Sequence, residues 1–418
     1  MFPRSNLYSK LKFVAIVLLI IFFIDYFGIL THMFELDYYR LFNYPLQGDI
    51  LQYSHRVRFH QEVDVKPINL YNYTFLEKCH QKCVEDGGSP ISPKITLIVK
   101  SAMANFERRH AIRQSWGYEQ RFSDVIIRTV FMLGISNNQE LQKHIKIESR
   151  QYNDIVQSNF EDTYFNNTIK TMMGFRWAVE VCPTSKFYMF VDDDYYVSPK
   201  NALRFIENPE SYPRNLDEAD ETLRKLGGRF KNRLYFNKFP EALAQLDAAD
   251  RRILSQGHSN FYEDSEIPAA ANIIPEDDYK KQSPLLVDSY NDKLFAGFVF
   301  HSSPHRHKPS KWYVSLAEYP FHMWPPYVTA GAFILSREAL FEMYFASMYV
   351  KHFRFDDVYL GLVALKAKIE LHHCEEFYFH RPTYSGPYSY RYVVASHGFE
   401  DPKELIKTWN ECRSAGHA

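Results

Sequence analysis

The sequence predicts an α/β domain built on a mostly parallel sheet. Three observations carry this expectation. Short apolar runs alternate with longer amphipathic segments, the pattern of strand–helix–strand units. One apolar run, Phe187 to Val191, leads straight into Asp192-Asp193-Asp194, and open sheets of this kind bind ligands beyond the carboxyl ends of their strands. Finally, 46% of the 418 residues are hydrophobic and 24% charged, which is the composition of a folded chain rather than a disordered one.

The elements follow in order. Phe13 to Ile24 is an unbroken apolar run that continues to Leu30 with Asp25 its only charge. That stretch approaches the length needed to cross a hydrocarbon core of roughly 30 Å. Arg4, Lys10 and Lys12 precede it, and Asp25, Glu35 and Asp37 lie in or after it. The excess of basic residues on the amino-terminal side places residues 1–12 in the cytosol and everything downstream in a lumen. A cleaved signal peptide is the rival reading, but no small-x-small cleavage site follows the run. Residues 13–30 are therefore expected to be a signal-anchor transmembrane helix. Residues 31–92 lack sustained periodicity and read as a stem, closed by the turn-forming Gly87-Gly88-Ser89-Pro90.

A domain over residues 93–412 comes next, with 413–418 as a tail. Ile95–Lys100 (ITLIVK) reads as a buried strand and is followed by the basic segment Arg108–Trp116. Asp124–Leu133 reads as a second strand ending at Gly134. Asp162-Thr163 can cap a helix whose apolar face includes Phe165, Ile169, Met172, Met173 and Trp177. After the strand at Phe187–Val191, Pro199 opens a helix through Leu203 and Ile206. Residues from about 208 to 288 are charge-rich, with a helical pattern over about 215–255, and read as a surface insertion. The apolar and aromatic pattern returns at Lys293.

Composition excludes some functions. Lys and Arg total 49 against 50 Asp and Glu, a formal net charge of -1, so a nucleic-acid binder, which needs a cationic excess, is not expected. Five cysteines cannot build a disulfide scaffold. Cys374 could bridge Cys412, as Cys79 could bridge Cys83, leaving Cys182 as a buried thiol. Asn72-Tyr73-Thr74 and Asn166-Asn167-Thr168 fit the glycan-acceptor pattern of a luminal chain.

The sharpest chemical signal is Asp192-x-Asp194. Carboxylates two apart at a strand end can both face a hard divalent cation, whereas the same residues elsewhere would be a charged turn. Asp356-Asp357 opens the apolar run Val358–Val363. Acids at a helix start are favoured by its dipole, and one of them in a cleft could act as a general base. Arg108-Arg109-x-x-x-Arg113 follows a strand, where guanidinium groups could bind a diphosphate or simply form a solvated helix face. Lys170 is a similarly ambiguous cation. His372-His373-Cys374 with His380 matches no common zinc spacing. The aromatic residues Trp312, Tyr313, Trp324 and Tyr327 could stack on sugars, though core packing is their commoner use.

Six stretches, in order, resemble the β-1,3-glycosyltransferase family that includes β-1,3-galactosyltransferases and β-1,3-N-acetylglucosaminyltransferases. They are ERRHAIRQSWG (107–117), FMLG (131–134), EDTYFNNTIKT (161–171), FVDDDYYV (190–197), KWYVSLAEYPFHMWPPYVTAGAFILS (311–336) and FDDVYLG (355–361). The resemblance is nearest to an arthropod member, over the stretch from Lys311, residues 353–366 and the ending Trp409-Asn410-Glu411-Cys412.

The resemblance implies a GT-A, Rossmann-like glycosyltransferase fold with a single-pass type II topology in the Golgi membrane. It implies a UDP-sugar donor, either UDP-GlcNAc or UDP-galactose, a glycolipid or glycan acceptor, Mn²⁺, and an inverting reaction. By motif, Asp192 and Asp194 would hold the metal, with His397 a further ligand, and Asp357 would be the base with Asp356 beside it. Arg109, Arg113, Asp162, Asp192 and Asp193 would lie on the donor side. The expected transfer is of N-acetylglucosamine to the 3-hydroxyl of a β-mannose on a glycosphingolipid core. A galactosyltransferase and a non-catalytic lectin-like protein are the alternatives. The segment between Leu203 and Leu294 departs from the family and puts acceptor choice in doubt more than chemistry.

Overall fold

A computed structural model of the chain describes residues 4–43, 48–85, 88–217 and 293–418. It divides into two units, residues 1–203 with 290–418, and residues 204–289. Of the second unit only 204–217 are described: they complete a helix at Glu207, turn, and are helical again over 214–217. The expected insertion and its helical pattern otherwise lie outside the described residues.

The first unit is organised around an eight-stranded sheet. Its strands are β1 (Phe75–Glu77), β2 (Ile95–Lys100), β3 (Ile127–Ile135), β4 (Ile155–Glu161), β5 (Phe187–Asp192), β7 (Phe295–Phe300), β8 (Tyr327–Ser336) and β9 (Leu371–His373), in the order β1-β4-β3-β2-β5-β8-β7-β9. A small second sheet joins β6 (Tyr196–Val197), β10 (Phe377–Tyr378) and β11 (Ala395–Ser396). The consecutive strands β2 to β5 pair in parallel, as the alternation predicted. Every residue of β2 is buried, which is why its sequence is continuously apolar rather than alternating. Beyond β5 the sheet is mixed: β8 pairs antiparallel with both β5 and β7, while β7 pairs parallel with β9. An apolar run has no direction, so its sequence could not show this.

Among the described residues the helices of the first unit are α1 (Arg4–Tyr26), α2 (Ile29–His32), α3 (Tyr38–Leu41), α4 (Ile50–Arg58), α5 (Phe106–Gln114), α6 (Gln139–Tyr152), α7 (Asn167–Glu180), α8 (Pro199–Glu207), α9 (Arg337–Ser347), α10 (Asp356–Ala367) and α11 (Pro402–Ser414). Met172, Met173 and Trp177 of α7 are buried as expected, whereas Phe165 is exposed. Asp162 does not cap α7, because its carboxylate is taken by the Lys170 ammonium at 2.6 Å and the Gly134 amide at 3.0 Å.

The amino-terminal boundaries differ from those expected. The helical span ends at Tyr26, and Gly28, at φ +80°, turns the chain into α2. Among the described residues no helix is long and apolar enough to cross a membrane. Lys10, Lys12 and Asp25 lie inside α1 and confine its charge-free stretch to residues 13–24. Nor is the expected stem a separate spacer. Ile50, Tyr71 and Phe75 are buried in the main core, and β1 pairs with β4. These anchoring residues are too widely spaced to make a periodic pattern.

The disulfide also differs from both candidate pairings. Cys83 bonds Cys182 across a sequence separation of 99, with Cα atoms 5.2 Å apart. Cys79, Cys374 and Cys412 are free and buried. Closing so long a loop is worth about 4–5 kcal/mol in the chain-entropy account. The bond ties the supposed stem to the end of α7, a long-range contact that sequence spacing does not reveal.

Candidate active site

The parallel register aligns Lys100, the last residue of β2, with Asp192, the last of β5. The Lys100 side chain is almost fully buried. Its ammonium lies 3.0 Å from Asp192 Oδ1 and donates to Asp356 Oδ2, also at 3.0 Å. One cation thus joins the strand-end aspartates to the first turn of α10. Burial works to lower the Lys100 pKa, but the two carboxylates outweigh it and hold the ammonium charged. Asp192, in contrast, is pushed up to about 7, chiefly by burial, with Asp194 and Asp356 adding to the rise and Lys100 opposing it. The two shifts are compatible, because one ammonium draws on two carboxylates while each carboxylate has only a share of it.

The three consecutive aspartates therefore have three different environments. Asp192 faces Lys100. Asp193 is buried, and its carboxylate accepts from Ser101 Oγ (2.6 Å), Asn105 Nδ2 (2.9 Å) and Arg108 Nη1 (2.9 Å). Its carboxylate, which the motif implied on the donor side, is thus spent on holding the turn. Asp194 lies on the opposite side, its Oδ2 3.6 Å from His397 Nε2 and 3.7 Å from Arg108. Burial tends to raise the Asp194 pKa, but the His397 hydrogen bond and the Arg108 charge hold the carboxyl below its usual range. Asp194 Oδ1 is buried and has no hydrogen-bond partner.

β11 brings His397 to this place by pairing antiparallel with β6, which follows the turn. Ligand atoms of Asp194, His397 and Glu400 all lie within 4.8 Å of one another. A divalent cation fits this set: two carboxylates and an imidazole converge, and one carboxylate oxygen is buried without a partner. Asp192, expected as a ligand, is not in the group because Lys100 holds it. Glu400 was not anticipated, although it lies only three residues beyond His397.

Two further residues set the turn. Trp116 Nε1 donates to the Tyr195 carbonyl at 3.1 Å, which gives the SWG motif a role in holding the backbone beside Asp194. Tyr195 packs edge-on to His397, with ring centroids 5.2 Å apart. Its hydroxyl occupies the space that a Cβ on Gly331 would need. Gly331→Ala is therefore expected to displace Tyr195 and weaken cation binding at least several-fold, measured as Mn²⁺ affinity, with little change in fold by circular dichroism.

On the other side, Asp356 and Asp357 open α10. Asp356 Oδ2 accepts from Lys100, from Asn167 Nδ2 (2.9 Å) and from Thr171 Oγ1 (2.9 Å). One oxygen of this acid, expected beside the base, is thus committed to three donors. Asp357 accepts a backbone hydrogen bond from Val358 at 2.7 Å and lines a cavity of about 420 Å³. Tyr164, Trp312, Trp324, Tyr327 and Phe379 contribute aromatic walls to it. Burial, and then the adjacent Asp356, push the Asp357 pKa well above the carboxylate range, to about 7. As the base that the motif implies, Asp357 would act only when ionised, so activity is expected to rise as pH climbs through about 7. A pH profile of kcat/KM should show that acid limb, and Asp357→Asn should abolish it.

The basic segment is used mostly inside the fold. Arg109 is fully buried, bound to Glu148 through Nε (2.9 Å) and Nη2 (2.7 Å), and donates to Ser101 Oγ and to the Ala102 and Met103 carbonyls. Arg113 pairs with Glu148 (2.8 Å) and Asp154 (2.7 Å) and lies over the rings of Phe131 and Tyr152. Neither guanidinium faces the strand-end aspartates. A buried cation must find a counter-charge, and α6 supplies it in Glu148. Arg108 is the member of the segment that reaches Asp193 and Asp194, and Asp162 is paired with Lys170. His373 Nδ1 accepts from the Val299 amide at 3.1 Å at the sheet edge.

A mixed sheet whose parallel half ends in acidic residues, beside a cation-fitting group and a carboxylate facing an aromatic cavity, fits a glycosyltransferase. Comparison with known proteins gives the particular family. Residues 107–221 and 280–375 match the Galactosyltransferase family model. The chain is 43% identical to Beta-1,3-galactosyltransferase brn of Drosophila melanogaster, over 96% of each chain. It is 26% identical to Beta-1,3-galactosyltransferase 2 of Mus musculus, over 84% of this chain and 64% of the mouse protein. It is 24% identical to Beta-1,3-galactosyltransferase 1 of the same species, over 85% and 83%. The chain belongs to the galactosyltransferase family, as a UDP-sugar-dependent β-1,3-hexosyltransferase. The family match skips residues 222–279, most of the stretch read as an insertion.

Proposed function

We propose that this enzyme transfers N-acetylglucosamine from UDP-GlcNAc, with inversion, to the 3-hydroxyl of a β-mannose on a glycosphingolipid core. The observation that carries the chemistry is Asp357, a carboxylate of raised pKa facing an aromatic cavity and joined through Asp356 and Lys100 to the aspartates at the end of β5. Asp357 takes the proton of the acceptor hydroxyl as that oxygen attacks the anomeric carbon. The aromatic walls stack on the apolar faces of the sugar ring and orient it. Lys100 offsets part of the charge of Asp192 and Asp356 and so lessens their repulsion of the diphosphate. Asp194, His397 and Glu400 would hold Mn²⁺, which when bound supplies charge neutralisation to the departing UDP. Attack from the face opposite UDP converts the α-linked donor sugar to a β-linked product, within a GT-A arrangement.

UDP-galactose is the second reading, favoured by the names of the three relatives. The test offers a mannose-terminated glycolipid with UDP-GlcNAc and with UDP-galactose, with and without Mn²⁺. Turnover with UDP-GlcNAc that requires Mn²⁺ supports the proposal, and turnover with UDP-galactose alone replaces it with the second reading.

We also infer a luminal Golgi location, with α1 as a single-pass type II anchor. The large apolar side chains of α1, among them Phe13, Leu18, Ile20 and Phe22, are exposed, which suits lipid better than water. Lys10 and Lys12 on its amino-terminal side set the orientation. Carbonate extraction should leave the full chain in the membrane pellet, and release into the supernatant would reject the anchor.

A further inference from the structure

The cavity wall between His301 and Trp324 is a loop closed on itself, with Arg306 as its hub. Nη1 donates to the Val314 carbonyl at 2.8 Å, and Nη2 to the carbonyls of Tyr319 (2.8 Å) and Phe321 (3.0 Å). The Arg306 side chain is fully buried. Three carbonyls satisfy its donors but not its charge, and an unpaired buried cation is strongly unfavourable. The counter-charge comes from outside the loop. Arg306 Nε donates to Glu35 Oε1 at 2.7 Å, and Glu35 is itself buried.

Glu35 belongs to the segment that follows α1, and backbone hydrogen bonds fasten that segment to the same loop. Lys308 N donates to the Tyr26 carbonyl (3.2 Å), Leu36 N to that of Pro320 (2.9 Å), and His322 N to that of Leu36 (3.1 Å). Gly28 passes so close that a Cβ there would lie 2.5 Å from the Arg306 carbonyl oxygen. The loop also faces the cavity. His305, next to Arg306, and Trp312 both line it, their rings 5.8 Å apart at 32°.

We propose that Glu35 is a positioning residue for the acceptor. Acting through Arg306, it fixes the loop that carries His305 and Trp312, and so makes the segment after α1 part of the acceptor site. The inference rests on reading the cavity as the place where the acceptor binds.

The test uses the detergent-solubilised full chain. Glu35→Gln removes the counter-charge but keeps the shape. Gly28→Ala pushes on the same loop from the Arg306 carbonyl, and Glu62→Gln, at an exposed site away from the loop, is the control. In the first two variants KM for a mannose-terminated glycolipid should rise by about tenfold, within the cost expected of a misplaced binding wall. Mn²⁺-dependent hydrolysis of UDP-sugar without acceptor should not change. Amide exchange at Val314 and Trp324 should quicken, while that of α10 should not. Unchanged KM, or hydrolysis falling in step with transfer, overturns the inference. Should the wild type glycosylate no acceptor, the proposed function fails, and exchange alone then decides: unaltered protection at Val314 and Trp324 overturns the brace, and selective loss there supports it.

Discussion

Asp357→Asn is expected to lower turnover by at least ~10²-fold, the scale of a lost general base, while leaving UDP binding nearly intact. Asparagine keeps the size of the side chain and can still accept from the Val358 amide, as Asp357 does at 2.7 Å. What it cannot do is take a proton from an alcohol. Steady-state transfer assays with parallel UDP titrations measure the two effects separately. Near-normal turnover would remove Asp357 from its role. Asp356→Asn should behave differently. Its Oδ2 serves Lys100, Asn167 and Thr171, so its loss leaves a buried ammonium with less counter-charge and should lower thermal stability along with activity.

Asp194→Ala is expected to abolish most Mn²⁺-dependent UDP affinity. Asp194 supplies the one buried carboxylate oxygen of the group that has no protein partner, and without it His397 and Glu400 are left as the two remaining members of the cluster. Two neutral or singly charged ligands hold a hard cation poorly. Calorimetric titration of UDP with and without Mn²⁺ reads the effect, and unchanged affinity in the variant would reject the metal assignment. Asp193→Asn is the informative neighbour. It should disturb the turn through Ser101, Asn105 and Arg108 and cost stability more than metal affinity.

The parallel half of the sheet is legible because a fully buried strand writes its burial into a continuous apolar run, and the run Ile95–Lys100 coincides with β2. The position of Asp192-Asp193-Asp194 at a strand end was legible for the same reason. How the three acids divide their work was not, since it depends on which groups arrive from Lys100, Arg108 and His397, the last of them more than 200 residues away in sequence. Arg109 and Arg113 misled because a cation reads the same whether it meets a ligand or a buried Glu148. Lys100 could have been flagged from its setting, a charged residue ending a buried strand beside the strand-end aspartates. Residues 31–92 read as a stem because Ile50, Tyr71, Phe75 and Cys83 are each buried by distant partners, which leave no local periodicity. The antiparallel pairing of β8 had no signal in its sequence, because pairing direction is set by the connection rather than by the residues of the strand.

The most direct test of a single site, with a cation on one flank and a base on the other, is anomalous diffraction from crystals grown with Mn²⁺ and UDP. A manganese peak is expected between Asp194, His397 and Glu400, with the UDP diphosphate on the metal and the Asp357 cavity opening beside it. A peak on Asp192 instead, or a diphosphate bound where the Asp357 cavity cannot be reached, would contradict that arrangement.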